Sequence, residues 1–326
     1  MTAGEQGPRE ETNMQRAQQF SLRHHSHRQT LLVLAVAFAL GLLYTVPSPA
    51  ATLDRIREAH KLLLGYRPDV RPFSFAEQSG GPAGYSVSLC QKIAEEIRAE
   101  LNLSDLEIEW VPVTVGEGFD PVVQGKVDLL CGPDAVTLER RKTVSFSIPI
   151  YPSGVAAMLR ADAPPALRDV LEGRPPSGPI WRASPAHILE EQTFSVVAGT
   201  SAETWLSERL KHFQIPAEVV PVESFEAGVR GLLEGATDVF FGPRPILVET
   251  TAEIEEKDSL MILQRFFTHE PVALTLARND DDFRLSVDRS LSRHFRSSEF
   301  QDTYAKWFGA PDEAVLTFFL QSALPD

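Results

Sequence analysis

Short apolar runs alternate with amphipathic stretches along the chain from about residue 53 onward. In the stretch 87–101, Leu89, Ile93 and Ile97 recur at intervals of four residues and share one face, which predicts a helix. This alternation predicts an α/β fold with mainly parallel sheets flanked by helices. The short runs predict strands at 61–66, 106–111, 127–131, 155–159, 194–198, 219–222, 238–241 and 272–277. Further helices are predicted at 201–212, 225–234, 281–296, 298–308 and 312–321.

The N-terminal stretch has a different pattern from the rest of the chain. Arg16 and Arg28 belong to a positively charged region, and an uninterrupted apolar run follows at 31–44. This run is shorter than the roughly 20 residues that a membrane-spanning helix needs. We therefore expect residues 1–50 to be a signal peptide with its leader, cleaved after about Ala50, and the mature chain to be periplasmic. An uncleaved membrane anchor is the alternative.

The composition is that of a globular protein, because 43% of the residues are hydrophobic and 23% are charged. A length of 326 residues is sufficient for two compact domains. The formal net charge of −14 argues against nucleic acid as a partner, since basic residues are scattered and outnumbered. The acidity fits a soluble monomer that diffuses freely.

The chain contains two cysteines, Cys90 and Cys131. In an exported protein such a pair is more often a disulfide than a reactive site. Two separate buried thiols are the alternative, because sequence alone does not determine whether the geometry permits a bond.

The motifs of common catalytic and metal sites are absent from the sequence. There is no Gly-x-Ser-x-Gly motif, no phosphate-binding glycine loop and no set of His and Cys at zinc-ligand spacing. We therefore predict no catalytic residue, no cofactor and no metal. The proline-rich segment 173–192 breaks the alternation and is predicted to be an exposed excursion. Within it, His187 and Glu190 have a metal-like spacing, although a surface loop is the simpler interpretation.

A series of short motifs occurs in a characteristic order over almost the whole mature chain. They are Leu53-Asp54-Arg55-Ile56, Gly65-Tyr66-Arg67, Pro72-Phe73-Ser74-Phe75, Gly84-Tyr85-Ser86-Val87, Gly125-Lys126-Val127-Asp128, Thr137-Leu138-Glu139-Arg140-Arg141-Lys142, Phe146-Ser147, Gly199-Thr200-Ser201 and Tyr304-Ala305-Lys306-Trp307-Phe308-Gly309. In this order and spacing the chain resembles the periplasmic amino-acid-binding proteins of ABC transporters. These are the bacterial extracellular solute-binding proteins of family 3, with the type II periplasmic binding fold.

The resemblance implies two lobes joined by a hinge that the chain crosses near Tyr151 and near Glu270. Lobe one would comprise 51–151 plus 271–326, and lobe two would comprise 152–270. A small anionic ligand would bind in the cleft between them, and the closed form would be recognised by an ABC transporter permease in the inner membrane. Both cysteines would lie in lobe one, where a disulfide would join the predicted helix at 87–101 to the end of the predicted strand at 127–131.

The resemblance also suggests which residues bind the ligand. Arg140 matches the arginine that holds the ligand's α-carboxylate in the family, although it is also compatible with a solvated surface charge. Gly199, Thr200 and Ser201 open a helix after a strand, where free N–H groups and hydroxyls favour an anion. A simple helix cap is the compatible alternative.

Three further residues are candidates for the cleft. Arg67 resembles the arginine that binds the side-chain carboxylate in family members selective for glutamate and aspartate, and a surface arginine is the alternative. Phe73 and Phe75 are predicted either to form a wall of the cleft or to belong to the core.

The sequence departs from the family pattern at the positions that recognise the ligand's amino group. Ala135 stands where a threonine is usual, and Pro243 stands where an aspartate usually holds the ammonium. Asp134 is the candidate replacement for that acid. The expected ligand is therefore a small anionic molecule, either an amino acid, acidic ones included, or a dicarboxylate.

Three functions remain open from the sequence. The first is a transport receptor that works by hinge closure. The second is an exported enzyme on the same fold, of the cyclohexadienyl or arogenate dehydratase type. The third is a sensing module that reports to a membrane partner.

Overall fold

A computed structural model describes residues 52–174, 185–252 and 254–325 of the chain. The predicted signal peptide at 1–50, its cleavage site and the central part of the predicted excursion, 175–184, lie outside the described residues. No described helix combines the length and the apolar character needed to cross a bilayer.

The described elements follow the predicted alternation of strands and helices. The strands are β1 (Lys61–Tyr66), β2 (Asp69–Val70), β3 (Ser74–Ala76), β4 (Pro82–Ala83), β5 (Glu107–Pro112), β6 (Leu129–Ala135), β7 (Ser145–Phe146), β8 (Tyr151–Ser153), β9 (Val155–Arg160), β10 (Thr193–Val197), β11 (Glu218–Val222), β12 (Val239–Pro243), β13 (Leu260–Ile262) and β14 (Glu270–Leu276). The helices are α1 (Thr52–Ala59), α2 (Tyr85–Leu101), α3 (Asp120–Val123), α4 (Pro165–Glu172), α5 (Pro185–Glu190), α6 (Ser201–Phe213), α7 (Phe225–Leu233), α8 (Arg244–Ala252), α9 (Asp281–Arg296), α10 (Glu299–Phe308) and α11 (Glu313–Ser322). Strands β2, β3 and β4 form a small antiparallel sheet.

Two larger sheets contain the remaining strands. The first sheet has the order β5-β1-β6-β14-β7, with β8 also paired to β14. The second sheet has the order β11-β10-β12-β9-β13. Helix α2 packs on the first sheet, whereas α6 and α7 pack on the second. The predicted α/β architecture is therefore present.

Each of the two sheets is mixed, which differs from the expected mainly parallel arrangement. In the first sheet β1 is parallel to β5 and β6, whereas β14 runs antiparallel to β6, β7 and β8. In the second sheet β10 is parallel to β11 and β12, whereas β9 runs antiparallel to β12 and β13. The chain passes from the other sheet directly into β9 and into β14. Each of these two strands runs opposite to the parallel strands of its sheet. An apolar run in the sequence indicates that a strand is buried, but it does not indicate in which direction the strand runs.

In each large sheet an aspartate ties two neighbouring parallel strands together in the same way: Asp128 joins β6 to β1, and Asp238 joins β12 to β10. The backbone N–H of Asp128 donates to Leu63 O at 2.8 Å, and its Oδ2 accepts from Leu63 N at 2.8 Å. In the second sheet, Asp238 N donates to Thr193 O at 2.8 Å, and its Oδ2 accepts from Thr193 N at 2.9 Å. Each aspartate stands just before a strand that follows a helix, α3 before β6 and α7 before β12, so the two sheets share this local arrangement.

The two cysteines form a disulfide, as predicted. Cys90 lies in α2 and Cys131 lies in β6, and both side chains are fully buried. Since β6 extends to Ala135, Cys131 lies within the strand rather than at its end. The bond therefore anchors α2 to the centre of the first sheet.

Candidate functional site

A cavity of about 80 Å³ lies between the two sheets, and we call it the cleft. The first sheet and its loops contribute polar residues, and the second sheet contributes the start of α6 and the end of β12. The two connecting segments, around Gly154 and Glu270, close the remaining side. Seven of the lining residues are Arg67, Asp134, Ala135, Arg140, Gly199, Thr200 and Ser201.

Arg67 is buried in the wall of the cleft rather than exposed at the surface. It follows the last residue of β1, and only 4% of its surface is accessible. Its Nη1 donates to Thr114 O at 2.5 Å and to Val113 O at 3.4 Å. Its Nη2 donates to Gly118 O at 3.2 Å and to the carboxylate of Asp134. Both terminal nitrogens of Arg67 therefore already donate hydrogen bonds to acceptors of the protein.

Asp134, in β6, is the ion-pair partner of Arg67. Its Oδ1 lies 3.0 Å from Arg67 Nη2, and its Oδ2 accepts from Thr275 Oγ1 at 3.1 Å. Both side chains of this pair are buried. The charge of Asp134 is therefore balanced within the protein, which makes it a weak replacement for the acid missing at Pro243.

Arg140 reaches across the cleft from one sheet to the other. It begins a short 3₁₀ turn after β6, where its N–H donates to Thr137 Oγ1 at 3.2 Å. Its Nη1 donates to Ala135 O at 3.1 Å, and its Nη2 donates to Gly199 O at 3.2 Å. Burial lowers the pKa of Arg140, although the nearby carboxylates of Asp134 and Glu270 oppose this shift.

The start of α6 lines the cleft and is also capped internally. Thr200 is the N-cap and accepts from Glu203 N at 3.4 Å, while Gly199 N donates to Glu203 Oε2 at 2.8 Å. The Thr200 hydroxyl donates to Val197 O at 2.6 Å. The Ser201 hydroxyl donates to Glu270 Oε2 at 2.6 Å. Both hydroxyls that the sequence suggested as ligand donors therefore already donate hydrogen bonds within the protein.

Phe73 and Phe75 belong to the core rather than to the wall of the cleft. Phe73 is 1% exposed and packs against Tyr85, Tyr151 and Phe308. Phe75 is 6% exposed and contacts the ring of Trp307. The core alternative left open by the sequence is therefore the observed one. The apolar wall of the cleft is formed instead by Val70, Val115, Phe119, Phe225, Ile246 and Val272.

Glu270 is a residue of the cleft that sequence reasoning did not select. It is the first residue of β14, and its strand partner on β8 is Ser153. Its contact with Ser201 joins residues that are 69 positions apart in the chain. The one signal for it in the sequence was its position at a predicted crossing between lobes.

The described residues offer no cluster of three or more His, Cys, Asp or Glu side chains that could hold a metal. His187 lies in α5, exposed to solvent, with its Nδ1 3.4 Å from Glu190 Oε2 and its Nε2 3.7 Å from Glu191 Oε1. The part of the predicted excursion that begins at Pro185 is thus a short helix.

Comparison with known proteins identifies a family for most of the chain. The profile of the "Bacterial extracellular solute-binding proteins, family 3" matches residues 62–310. The glutamate/aspartate import solute-binding protein of Escherichia coli strain K12 is 22% identical over 282 residues, which cover 86% of this chain and 87% of that protein. The L-glutamate/L-aspartate-binding protein of Pseudomonas aeruginosa is 25% identical over 80% of each chain.

Solved structures share the fold. The crystal structure of the ancestral amino acid-binding protein AncCDT-1, a precursor of cyclohexadienyl dehydratase, matches with a TM-score of 0.64. The identity is 22%, and the match covers 79% of this chain and 100% of the other. The predicted type II periplasmic binding fold is therefore confirmed.

Proposed function

Because the chain belongs to the bacterial extracellular solute-binding proteins of family 3, we propose that it is the periplasmic receptor of an ABC importer. Its solute is a small molecule of the amino-acid class, bound in the cleft and delivered to a permease of the inner membrane. The names of the relatives support this class, since they are amino-acid-binding proteins rather than enzymes.

The proposed mechanism is closure of two lobes around the solute. Lobe one is 51–151 plus 271–326, and lobe two is 152–270. The separation of the two large sheets supports a division close to these bounds, because β8 ends at Ser153 and β14 begins at Glu270 in one sheet, whereas β9 belongs to the other. A solute that contacts both lobes stabilises the closed form, and the permease responds to that form.

The observation that carries the proposal is the position of Arg140. Its guanidinium already bridges Ala135 in the first sheet and Gly199 at the start of α6. A carboxylate placed there would accept two charge-assisted hydrogen bonds from the guanidinium and lie near the positive end of the α6 dipole. Both interactions require a closed cleft, so the same group would report that the solute is bound.

Thermal unfolding of the purified protein with a panel of amino acids and dicarboxylates tests the proposal. A solute at one hundred times its dissociation constant adds about 2.7 kcal/mol to the free energy of unfolding, which raises the melting temperature. The Arg140→Ala variant is expected to lose this shift. The matched control is Arg141→Ala, which removes an exposed arginine at the next position and should retain the shift.

The outcomes separate the alternatives. If no amino acid or dicarboxylate shifts the melt, the receptor proposal in this form is wrong. If the shift persists in Arg140→Ala, the solute binds elsewhere or through other groups. Conversion of a cyclic precursor of an aromatic amino acid would instead favour a dehydratase.

A further inference from the structure

Among the described residues, the lining of the cleft includes four ionisable side chains: Arg67, Arg140, Asp134 and Glu270. Two are arginines and two are acids, so their formal charges cancel. A buried site binds best a ligand whose charges complement its own. A cleft without net charge complements a ligand without net charge.

The Arg67–Asp134 pair is complete before any ligand arrives. Arg67 Nη1 and Nη2 have four acceptors among the carbonyls of the loop after β5 and the carboxylate of Asp134. A ligand carboxylate at Arg67 would have to displace at least one of them, and it would lie beside the negative charge of Asp134. Arg140 differs, because each of its terminal nitrogens has one acceptor, Ala135 O or Gly199 O, and so keeps one N–H for a ligand. The cleft therefore offers one arginine, Arg140, for one carboxylate.

Glu270 is the acid whose charge is not neutralised by an ion pair among the described contacts. Its Oε2 accepts one hydrogen bond, from the Ser201 hydroxyl at 2.6 Å. A carboxylate has about four lone-pair sites, so Glu270 retains capacity for a cationic donor. The Ser201 contact fixes the orientation of the carboxylate at the edge of the cleft. Pro243, on the opposite wall, has no polar side-chain atom for a ligand.

The remaining wall is apolar and the space is small. Val70, Phe119, Phe225 and Ile246 line a cavity of about 80 Å³. A short aliphatic side chain would lose its contact with water against this wall, whereas a second charged group would be desolvated without a partner.

We propose that the ligand is a small neutral amino acid, with its carboxylate on Arg140 and its ammonium group on Glu270. This proposal rests on the proposed function and names the solute class of the same cleft. It differs from the anionic ligand expected from the sequence and from the glutamate and aspartate in the names of the relatives. The difference arises because Asp134 already forms an ion pair with Arg67, the arginine that an acidic side chain of the ligand would need.

Calorimetric titration of the purified protein tests the assignment with probes that differ by one group. The probes are L-alanine, L-serine and L-valine, then propionate, which is L-alanine without its ammonium group, and then L-aspartate, L-glutamate and succinate. We expect a neutral amino acid to bind best, and propionate to bind about tenfold to a hundredfold more weakly than L-alanine. This comparison needs no variant, so it remains valid if a substitution impairs folding.

The Glu270→Gln variant tests the residue itself. It keeps the shape and an acceptor for Ser201 and removes the charge. It should weaken L-alanine binding by about tenfold to a hundredfold and leave propionate binding within about threefold. Glu218→Gln, at an exposed position outside the cleft lining, is the matched control and should bind as the unmodified protein does.

Two results would overturn the assignment while the receptor function stands. One is tighter binding of L-aspartate, L-glutamate or succinate than of every neutral amino acid tested. The other is binding of L-alanine that Glu270→Gln leaves unchanged. Absence of binding by all seven probes would overturn the assignment, and the receptor function would fall with it only if the full amino-acid panel also left the melting temperature unchanged.

Discussion

Nη2 of Arg67 and Oδ1 of Asp134 lie 3.0 Å apart, and both side chains are buried beside the cleft. The two residues are 67 positions apart in the chain and meet because β1 and β6 are neighbours in the first sheet. A buried pair of this kind is costly to break, since the remaining partner keeps a charge that water cannot solvate. The pair is therefore a structural element of the wall as well as a determinant of its charge.

Removal of one partner should destabilise the protein strongly. We expect Asp134→Ala to lower the free energy of unfolding by about 3–5 kcal/mol, because Arg67 is left buried and unpaired. Urea denaturation without ligand measures the change. Glu139→Ala breaks the exposed pair with Lys142 and should lower it by less than about 1 kcal/mol. Equal effects of the two variants would contradict the structural role.

Gly154 is predicted to be essential at the connection between the two sheets. A Cβ at this position would lie 2.1 Å from Thr268 O and 3.0 Å from Cδ1 of Phe266. Gly154→Ala should therefore separate the two connecting segments and lower the free energy of unfolding by about 1–3 kcal/mol. At Gly116 the added Cβ meets no described atom within 4 Å, so Gly116→Ala is the control. A stable Gly154→Ala protein would mean that the segments can move apart freely.

The disulfide should contribute several kcal/mol. Cys90 and Cys131 are separated by 41 positions, and closure of a loop of that length restricts the unfolded chain by roughly 4 kcal/mol. We expect the double variant Cys90→Ala, Cys131→Ala to lose about 2–4 kcal/mol in urea denaturation. Because both sulfurs are buried, a reducing agent alone should not destabilise the native protein. A loss on reduction without denaturant would show that the bond becomes accessible in the native state.

The stability should fall at mildly acidic pH because of His294. Burial lowers the pKa of His294, the nearby Lys92 lowers it further, and Glu299 opposes the shift. In the unfolded chain the imidazole titrates at its ordinary pKa of about 6.5. The unfolded state thus binds more protons between the two values, and the free energy of unfolding decreases as pH falls through this window.

A pair of variants isolates this contribution. His294→Gln should weaken the pH dependence of the free energy of unfolding below about pH 6.5, measured by denaturation between about pH 5 and 8. His212→Gln, at an exposed position, should leave the pH dependence as it is. Parallel pH profiles for the unmodified protein and His294→Gln would refute the prediction.

Several features follow from local sequence patterns. The apolar residues at intervals of four in 87–101 predicted the long helix that the structure describes as Tyr85–Leu101. The pair of cysteines, in a chain expected to be exported, predicted the disulfide. The ordered motifs predicted the family, and the family implied the fold. Each of these signals depends on residues close in sequence or on a pattern of known spacing.

The character of the cleft was decided by tertiary structure. Strand β14 pairs with β6, and this pairing brings Thr275 next to Asp134 and Glu270 into the lining of the cavity. Phe73 lies in an aromatic core whose other rings come from distant parts of the chain, so its local sequence did not reveal this position. By itself, the sequence determined which chemical groups are available and which segments bury an apolar face. The partners of those groups depend on which strands become neighbours, and that is a long-range property of the folded chain.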